Sequence, residues 1–583
     1  MAWLFLSRKV DDCFGRRQFD RLHLQKLVTI PRTQNSGDMM NTCLKTAALP
    51  LILALASVAG AQAATAPGKQ FIKIQLDASA NQATNGRLLV FARDAKSAES
   101  EAFEKSKQKS SEVTVVDADP FAATATAVTA REVSRIQPGQ SVEIDGDDLA
   151  FPTAYSQLPP GDYYVQAVLD VDHSYNYTGR GAGDWVSDVV KLHLPATDMP
   201  TIRLTKTLPA KDPWKRESAS ENERTALEAA HLHVQPIDFT SPALSAFWGR
   251  SVKMDGWVLT PPGYDAKAKV SYPTVYFTHG FGGNAPRLVP LLADLYGAMA
   301  SGKMAPMIWV LLDESSPTGT HEFADSVNNG PWGQALTAEL IPYLEKNYRM
   351  DGKASGRFLN GHSSGGWATL WLQTRYPKLF GGTWSTSPDP SDFRDFTGVD
   401  LYAPQANVFR KADGSAYPLV RDHDKVLGTF EEFAKLERVL GSYGGQLASM
   451  EWVFSPRSAA GGPQPMFDRD TGSVDPAVVA YWRENFDIAH RMKRDWPALK
   501  ADLDGKIHLF VGTADTFYLD GSAQKLQAVM EGLKAKTDFR FIPNKTHFDL
   551  YQQGENKMAL LHEISWEMYA VARPKSVLTP AAK

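Results

Sequence analysis

The stretch Arg357-Phe-Leu-Asn-Gly-His-Ser-Ser-Gly-Gly366 constrains this chain more than any other. An apolar run enters it, glycines stand at −2 and +2 from Ser363, and a run with helical spacing over 366–376 leaves it. Gly361-His-Ser363-Ser-Gly365 matches G-x-S-x-G, a pattern in which a strand stops, the chain turns sharply and a helix begins. The residue at the turn is forced into a strained backbone conformation. A β-carbon at either flanking position would strike the strand or the helix. The result is a hydroxyl held at the start of a helix, above a sheet edge. Any glycine-rich loop can produce the letters, so the strand before and the helix after give the match its weight. Ser363 is therefore the candidate nucleophile. Ser364 competes for the role but lacks the paired glycines.

The surrounding pattern fits that motif. From about residue 231 the chain alternates strand and helix. Apolar strands are expected at Thr274–Thr278, 307–312, 357–360, 381–385, 507–511 and 539–542, with helical spacing at 334–347. Such alternation predicts an α/β fold with a mostly parallel sheet covered on both faces. Segment 388–506 is too long for one crossover. Helical spacing over 427–440 and 476–499 marks it as an inserted cap. Residues 70–206 read differently. Phe71-Ile-Lys-Ile-Gln-Leu76 alternates with period two, and Asn85-Gly86, Asp145-Gly146 and Pro160-Gly161 punctuate further short runs without a helical pattern. An N-terminal antiparallel β-sandwich is expected there. Residues 207–230, charged and carrying Pro209 and Pro213, read as a linker, and 231–575 as the α/β catalytic domain.

The first seventy residues read as targeting sequence. Lys45 precedes an apolar run over 47–59, too short to span a bilayer comfortably, and Ala61-Gln-Ala63 is a small-x-small cleavage signal. Residues 39–63 are expected to be a signal peptide, with Ala64 the mature start. The Arg-rich segment 1–38 reads as an extension ahead of a true start at Met39 or Met40. A periplasmic or secreted protein follows, without stable membrane insertion after cleavage. Cys13 and Cys43 both fall in this region. No disulfide scaffold, Cys-ligated zinc site or thiol nucleophile is available from Leu44 onward. With 62 Lys+Arg against 66 Asp+Glu, no strongly basic face is implied and nucleic acid is not an expected partner.

A serine hydroxyl needs a base to be nucleophilic at neutral pH. The expected base is His547, in a loop after the strand at 539–542. His508 lies within a strand, His562 within a helix and His362 in the elbow itself. The orienting carboxylate is expected to be Asp515, at the end of the strand 507–511, with Asp520 and Asp389 as alternatives. Its role is to accept the second imidazole N–H and stabilise the imidazolium. An anionic tetrahedral intermediate needs two backbone donors. Ser364 N–H is one. Phe281 N–H, in the glycine-rich loop Thr278-His-Gly-Phe-Gly-Gly-Asn284, is the other, with Gly280 and Gly282 as possible substitutes. A phosphate-cradling loop would need G-x-x-x-x-G-K-[ST] or a ribose-binding acid, and neither is present. Trp452, Phe454, Trp482 and Trp496 are read mainly as cap core, with pocket lining as the alternative. Asn328–Trp332 is read as a loop and helix start.

With these residues in view, the C-terminal half resembles the putative-esterase family of α/β-hydrolases. That family includes enterochelin esterase-like proteins, feruloyl esterases, S-formylglutathione hydrolases and mycolyltransferases. The matching stretches are YPTVYFTHGFGGN at 272–284, ADSVNNGPWGQALTAELIPYLE at 324–345, RFLNGHSSGGW at 357–367, and the Gly512–Asp515 and His547 sites. The resemblance spans about residues 235–575. It implies acyl transfer to water through an acyl-enzyme, without metal or organic cofactor, on a small-molecule or polysaccharide-linked ester. The long N-terminal β region and the enlarged segment before Lys506 depart from simple members. Transfer of the acyl group to a sugar or lipid, peptidase activity, and a non-catalytic polysaccharide- or partner-binding protein on the same scaffold are the competing readings.

Overall fold

The computed structural model describes residues 68–581. The expected signal peptide and the segment 1–38 lie outside the described residues. Among those described, no helix is long and apolar enough to cross a membrane.

The C-terminal half is built on eight strands: β1 (Val234–Pro236), β2 (Gly256–Leu259), β3 (Thr274–Thr278), β4 (Ile308–Leu312), β5 (Arg357–His362), β6 (Gly382–Thr386), β7 (Ile507–Gly512) and β8 (Thr537–Ile542). They lie in the order β1-β2-β4-β3-β5-β6-β7-β8. β2 runs antiparallel to both its neighbours, β1 and β4, and β4, β3, β5, β6, β7 and β8 are parallel throughout. Both faces are buried, which explains the continuous apolar runs in the sequence. Val275 and Phe277 of β3 pack under the helices Val289–Ala300 and Ala559–Ala572. Tyr276, pointing the other way, packs with Leu336, Leu344 and Leu372 on the opposite face. The mostly parallel α/β sheet is as the sequence reading expects.

Segment 388–506 contains the hairpin Pro418–Asp422/Lys425–Thr429 and the helices Phe430–Leu440, Gln446–Phe454, Pro476–Asn485 and Ile488–Leu503. The single helix expected over 476–499 is two, because Asp487 caps a new start by accepting from His490 N. The helix expected from 427 begins at Phe430, where Thr429 and Glu432 form a capping box. Phe454, Trp482 and Trp496 pack with Trp367 and Trp371 of helix Ser364–Arg375 in one core. The segment is thereby seated on the helix that follows the serine.

Nine strands between Phe71 and Thr207 form one hydrogen-bonded sheet. Its centre is the antiparallel pair Thr84–Asp94 and Gly161–Asp170, with Leu89 opposite Val168. Leu88, Val90, Val165 and Leu169 pack with Ile72, Ile74 and Leu204 on one face. On the other, Leu89, Phe91 and Val128 pack with Leu436, Val439 and Leu440 of the helix Phe430–Leu440. The expectation of no helix in this region is corrected by Ala95–Lys105, which Asp94 caps by accepting from Ser97 N. It buries only Ala95 and Ala98, so it has no apolar stripe to announce it. The linker reading of 207–230 is also corrected. Its second half begins the helix Glu221–His231, started by a Ser220/Glu223 capping box and packed through Leu227 and Ala230 against Leu292 and Leu295.

The shared core predicts coupled stability. Leu436, 2% exposed, joins the N-terminal sheet to the inserted segment. Leu436→Ala is expected to cost about 2–5 kcal/mol and to lower the urea midpoint of the N-terminal and C-terminal halves together. A change confined to one half would contradict this arrangement.

Candidate functional site

Ser363 has φ 61° and ψ −124°, outside the regions open to ordinary L-residues. Two close backbone contacts hold it there. A β-carbon on Gly361 would stand 2.2 Å from Gly365 O, and one on Gly365 would stand 2.3 Å from His279 O. Ser363 N donates to Thr386 O at 3.0 Å. The hydroxyl therefore sits at the C-terminal ends of β3, β5 and β6, at the mouth of helix Ser364–Arg375.

The same edge receives Asp515 and His547. Asp515 follows β7 and His547 follows β8. A β-carbon on Gly512 would stand 2.0 Å from Lys545 O, so only glycine lets the two loops close on each other. Asp549 accepts from Thr546 N and Oγ1 at 2.7 and 2.8 Å, shaping the histidine loop. His547 Nδ1 lies 2.9 Å from Asp515 Oδ2, with the histidine 2% and the aspartate 0% exposed. Phe517 N donates to Asp515 Oδ1 at 2.9 Å.

The other two carboxylates are placed elsewhere. Asp520 accepts from Arg421 Nη2 at 2.8 Å, which turns it away from an imidazole role. Asp389 lies beneath the elbow, accepting from Ser364 Oγ at 2.7 Å and from Ser363 Oγ at 3.4 Å. Among the described residues, the hydrogen bond of Ser363 Oγ is to Asp389 and none is to His547. The His547 ring instead lies 4.4 Å from that of His362, beside the serine. The structure thus joins His547 to Asp515, and Ser363 to Asp389.

The two acids have opposite electrostatics. Burial pushes Asp389 up to about 6, against the hydrogen bonds from the two serines and the nearby His547. Burial also acts on Asp515, but the charge and hydrogen bond of His547 and the Phe517 N–H outweigh it and hold that carboxyl below its usual range. One acid is kept as an anion beside the imidazole, while the other takes up a proton readily beneath the serine. Glu314 and Glu322, 0% and 1% exposed, have no hydrogen-bond partner for either carboxylate oxygen among the described residues. Burial drives both well above the ordinary carboxyl range.

The loop after β3 lies against the elbow. A β-carbon on Gly280 would stand 2.8 Å from Ser363 Cβ. Neither Phe281 N nor Ser364 N makes a hydrogen bond within the described structure, which leaves both donors for a ligand oxygen. Sequence reading missed the brace that holds this loop. His279 Nδ1 lies 2.8 Å from Gly280 O and its Nε2 3.0 Å from Asp313 Oδ1, while Asp313 Oδ2 accepts from Ala285 N at 2.7 Å. The signal was available, since His279 and Asp313 each directly follow one of two paired strands, β3 and β4.

A narrow pocket of about 20 Å³ opens beside Asp389 and is lined by Phe396, Leu419, Phe430, Phe433, Met450 and Phe517 among others. Trp452, Phe454, Trp482 and Trp496 are not on its wall, and the last three belong to the core. In Asn328–Trp332, Trp332 stacks on His321 at 3.5 Å and Asn328 donates to Ser455 O, a structural use of that stretch. Among the described residues one group has metal-ligand spacing, Asp170, Asp172 and Asp184. It lies in the N-terminal region, where Asp170 and Asp184 accept backbone N–H bonds from Ser174, Tyr175, Gly181 and Val171.

A family model described as putative esterase matches residues 250–559. Solved structures are similar to part of this chain. A ferulic acid esterase is 16% identical, covering 58% of this chain and 99% of its own, with a TM-score of 0.36. The fluorophosphonate-binding serine hydrolase FphF of Staphylococcus aureus is 11% identical, covering 58% and 98%, with a TM-score of 0.35. An S-formylglutathione hydrolase of Agrobacterium tumefaciens is 13% identical, covering 58% and 94%, with a TM-score of 0.33.

Two outcomes are expected. Gly365→Ala forces a β-carbon into backbone oxygen and is expected to destabilise the fold by several kcal/mol, roughly the scale of other buried steric errors. A variant with an unchanged urea midpoint would contradict the close packing. Asp389→Asn gives a pH signature. The ordinary carboxyl titrates near 3.8 and the folded one near about 6, so the unfolded chain loses its proton first. The wild type therefore loses stability as pH rises through this window, whereas Asn does not titrate. The stability of Asp389→Asn relative to wild type should increase between about pH 4 and 7. A stability of Asp389→Asn relative to wild type that stays constant or falls over this range would contradict the assignment.

Proposed function

Because the chain belongs to the putative-esterase family and is thus an enzyme of carboxylic ester bonds, we propose that it is an exported serine esterase using Ser363, His547 and Asp515. The observation that carries this reading is the 2.9 Å contact between His547 Nδ1 and Asp515 Oδ2, on the sheet edge that presents the strained Ser363. With Nδ1–H given to Asp515, Nε2 is left as the base.

In this reading the 3.4 Å contact from Ser363 to Asp389 is a resting position. It is long for an O–H···O bond, so little is lost on leaving it. Rotation about the Ser363 Cα–Cβ bond turns the hydroxyl toward Nε2. His547 then takes the proton as Oγ attacks the ester carbonyl. The anionic oxygen receives Phe281 N–H and Ser364 N–H. His547 returns the proton to the leaving alcohol, and water attacks the acyl-enzyme by the same route. Asp515 stays ionised throughout and stabilises the imidazolium.

The apolar wall of Phe396, Phe430, Phe433 and Met450 beside Asp389 favours a small-molecule or polysaccharide-linked ester that carries an apolar group. Segment 388–506 is read as the cap of an α/β-hydrolase, and residues 70–206 as a sandwich-type domain. Export rests on Lys45, the apolar run 47–59 and Ala61-Gln-Ala63.

Ser363→Ala is expected to abolish p-nitrophenyl acetate hydrolysis with the fold intact. Asp515→Asn should lower kcat by about 10³–10⁴, and Asp389→Asn by far less. Retained turnover in Ser363→Ala would remove the serine assignment. A reversed order for the two aspartate variants would move the orienting role to Asp389.

A further inference from the structure

The loop that carries Phe281 is rich in glycine and has little internal stiffness. Its fixed shape comes from neighbours, and one of them belongs to the N-terminal region. Tyr177 lies in the short helix Tyr175–Thr178 and is 8% exposed. Its Oη donates to Gly283 O at 2.8 Å, and its ring meets that of Phe281 edge-on with centroids 4.9 Å apart. Arg287 closes the arrangement from the other side, donating to Gly282 O at 2.7 Å and back to Thr178 O at 2.5 Å. Gly282 has φ 76°, and a β-carbon there would stand 3.3 Å from Tyr177 O. Three consecutive residues, Phe281 to Gly283, are therefore held by one turn of the N-terminal region.

A second contact reaches the base. Phe121, also N-terminal, packs on Phe517 at 6.0 Å and on Phe548 at 5.5 Å. Those two rings flank His547 at 4.9 and 5.4 Å. The N-terminal region thus touches both the donor loop and the base loop, and it is anchored to the body by Arg87, whose Nη2 donates to Val439 O at 2.7 Å.

We infer that Tyr177 is a positioning residue for ester hydrolysis: it fixes the Phe281 N–H where the oxyanion forms, so the N-terminal β region is a working part of the catalytic site and not a separate binding module. The inference rests on the assignment of Phe281 as an oxyanion donor. Donors of this kind act only when they are held at the place where charge develops, and losing one costs about 10²–10³ in kcat. A displaced donor loop should weaken binding of the tetrahedral species while leaving ground-state binding of the ester almost unchanged.

The test uses the full chain, with wild type, Tyr177→Phe, Tyr177→Ala and Ser363→Ala assayed on p-nitrophenyl acetate and with a trifluoromethyl ketone that forms a tetrahedral adduct. Tyr177→Ala is expected to lower kcat by at least about 30-fold, a fraction of the effect of deleting a donor, with KM within about twofold. Its affinity for the trifluoromethyl ketone should fall in parallel with kcat. Tyr177→Phe keeps the ring and loses only the hydroxyl, so it should be intermediate and decides the matter if Tyr177→Ala fails to fold. Wild-type kcat and ketone affinity in folded Tyr177→Phe and Tyr177→Ala would overturn the inference, as would a rise in KM alone. Full activity in Ser363→Ala would instead overturn the serine assignment, and the positioning role with it.

Discussion

Everything at this site depends on how closely two backbones approach at the ends of β3 and β5. Thr278 and Gly361 are paired across the two strands, and Thr278 Oγ1 donates to Gly365 O at 2.9 Å. With glycines at 361 and 365 the turn fits between β3 and the helix. Any larger residue would push it out of line. Ser363 is left with a positive φ that costs on the order of 1–3 kcal/mol. That strain is offset by the Ser363 N–H bond to Thr386 and by the buried helix behind it. The loop carrying Phe281 leaves β3 from the same point, so the proposed nucleophile and the proposed oxyanion donors share one origin. Their relative placement is a property of the sheet.

The second determinant is the division of labour between two buried aspartates. Both are removed from water, which by itself favours the neutral acid. Asp515 has the His547 imidazole and a backbone donor and remains an anion. Asp389 has two hydroxyl groups, which are weaker compensation, and rises to about 6. An acid beneath the elbow hydrogen-bonds both serines, and in the proposed mechanism this is where Ser363 rests before it reacts. The unpartnered Glu314 and Glu322 add further acidic groups to the same buried zone.

The residues that could be read from the sequence were those whose signal is local. Strand ends, the glycine pair around Ser363, and the Gly512–Asp515 turn all carry their geometry in a few consecutive letters. The α/β alternation is similarly plain, because strands buried on both faces read as unbroken apolar runs. What was missed depends on distant partners or on weak amphipathicity. The helix Ala95–Lys105 buries two alanines and shows no stripe. The helix Glu221–His231 was hidden by charge, although Ser220-x-x-Glu223 marked its start. Asp389 could be weighed as an alternative acid, but its bonds to Ser363 and Ser364 follow from a crossover that spacing does not reveal. Tyr177 lies over a hundred residues from the loop it holds, and nothing in its neighbourhood announces that contact. Trp482 and Trp496 went to the core, where large rings gain most from burial.

The claim that a single strained serine is the reacting group is tested most directly by treating the full chain with a fluorophosphonate and locating the adduct by peptide mass spectrometry. The account predicts one phosphonyl group on Ser363, with Ser364 unmodified. An adduct on Ser364 or on any other residue, or no adduct from a folded protein that hydrolyses esters, would contradict it.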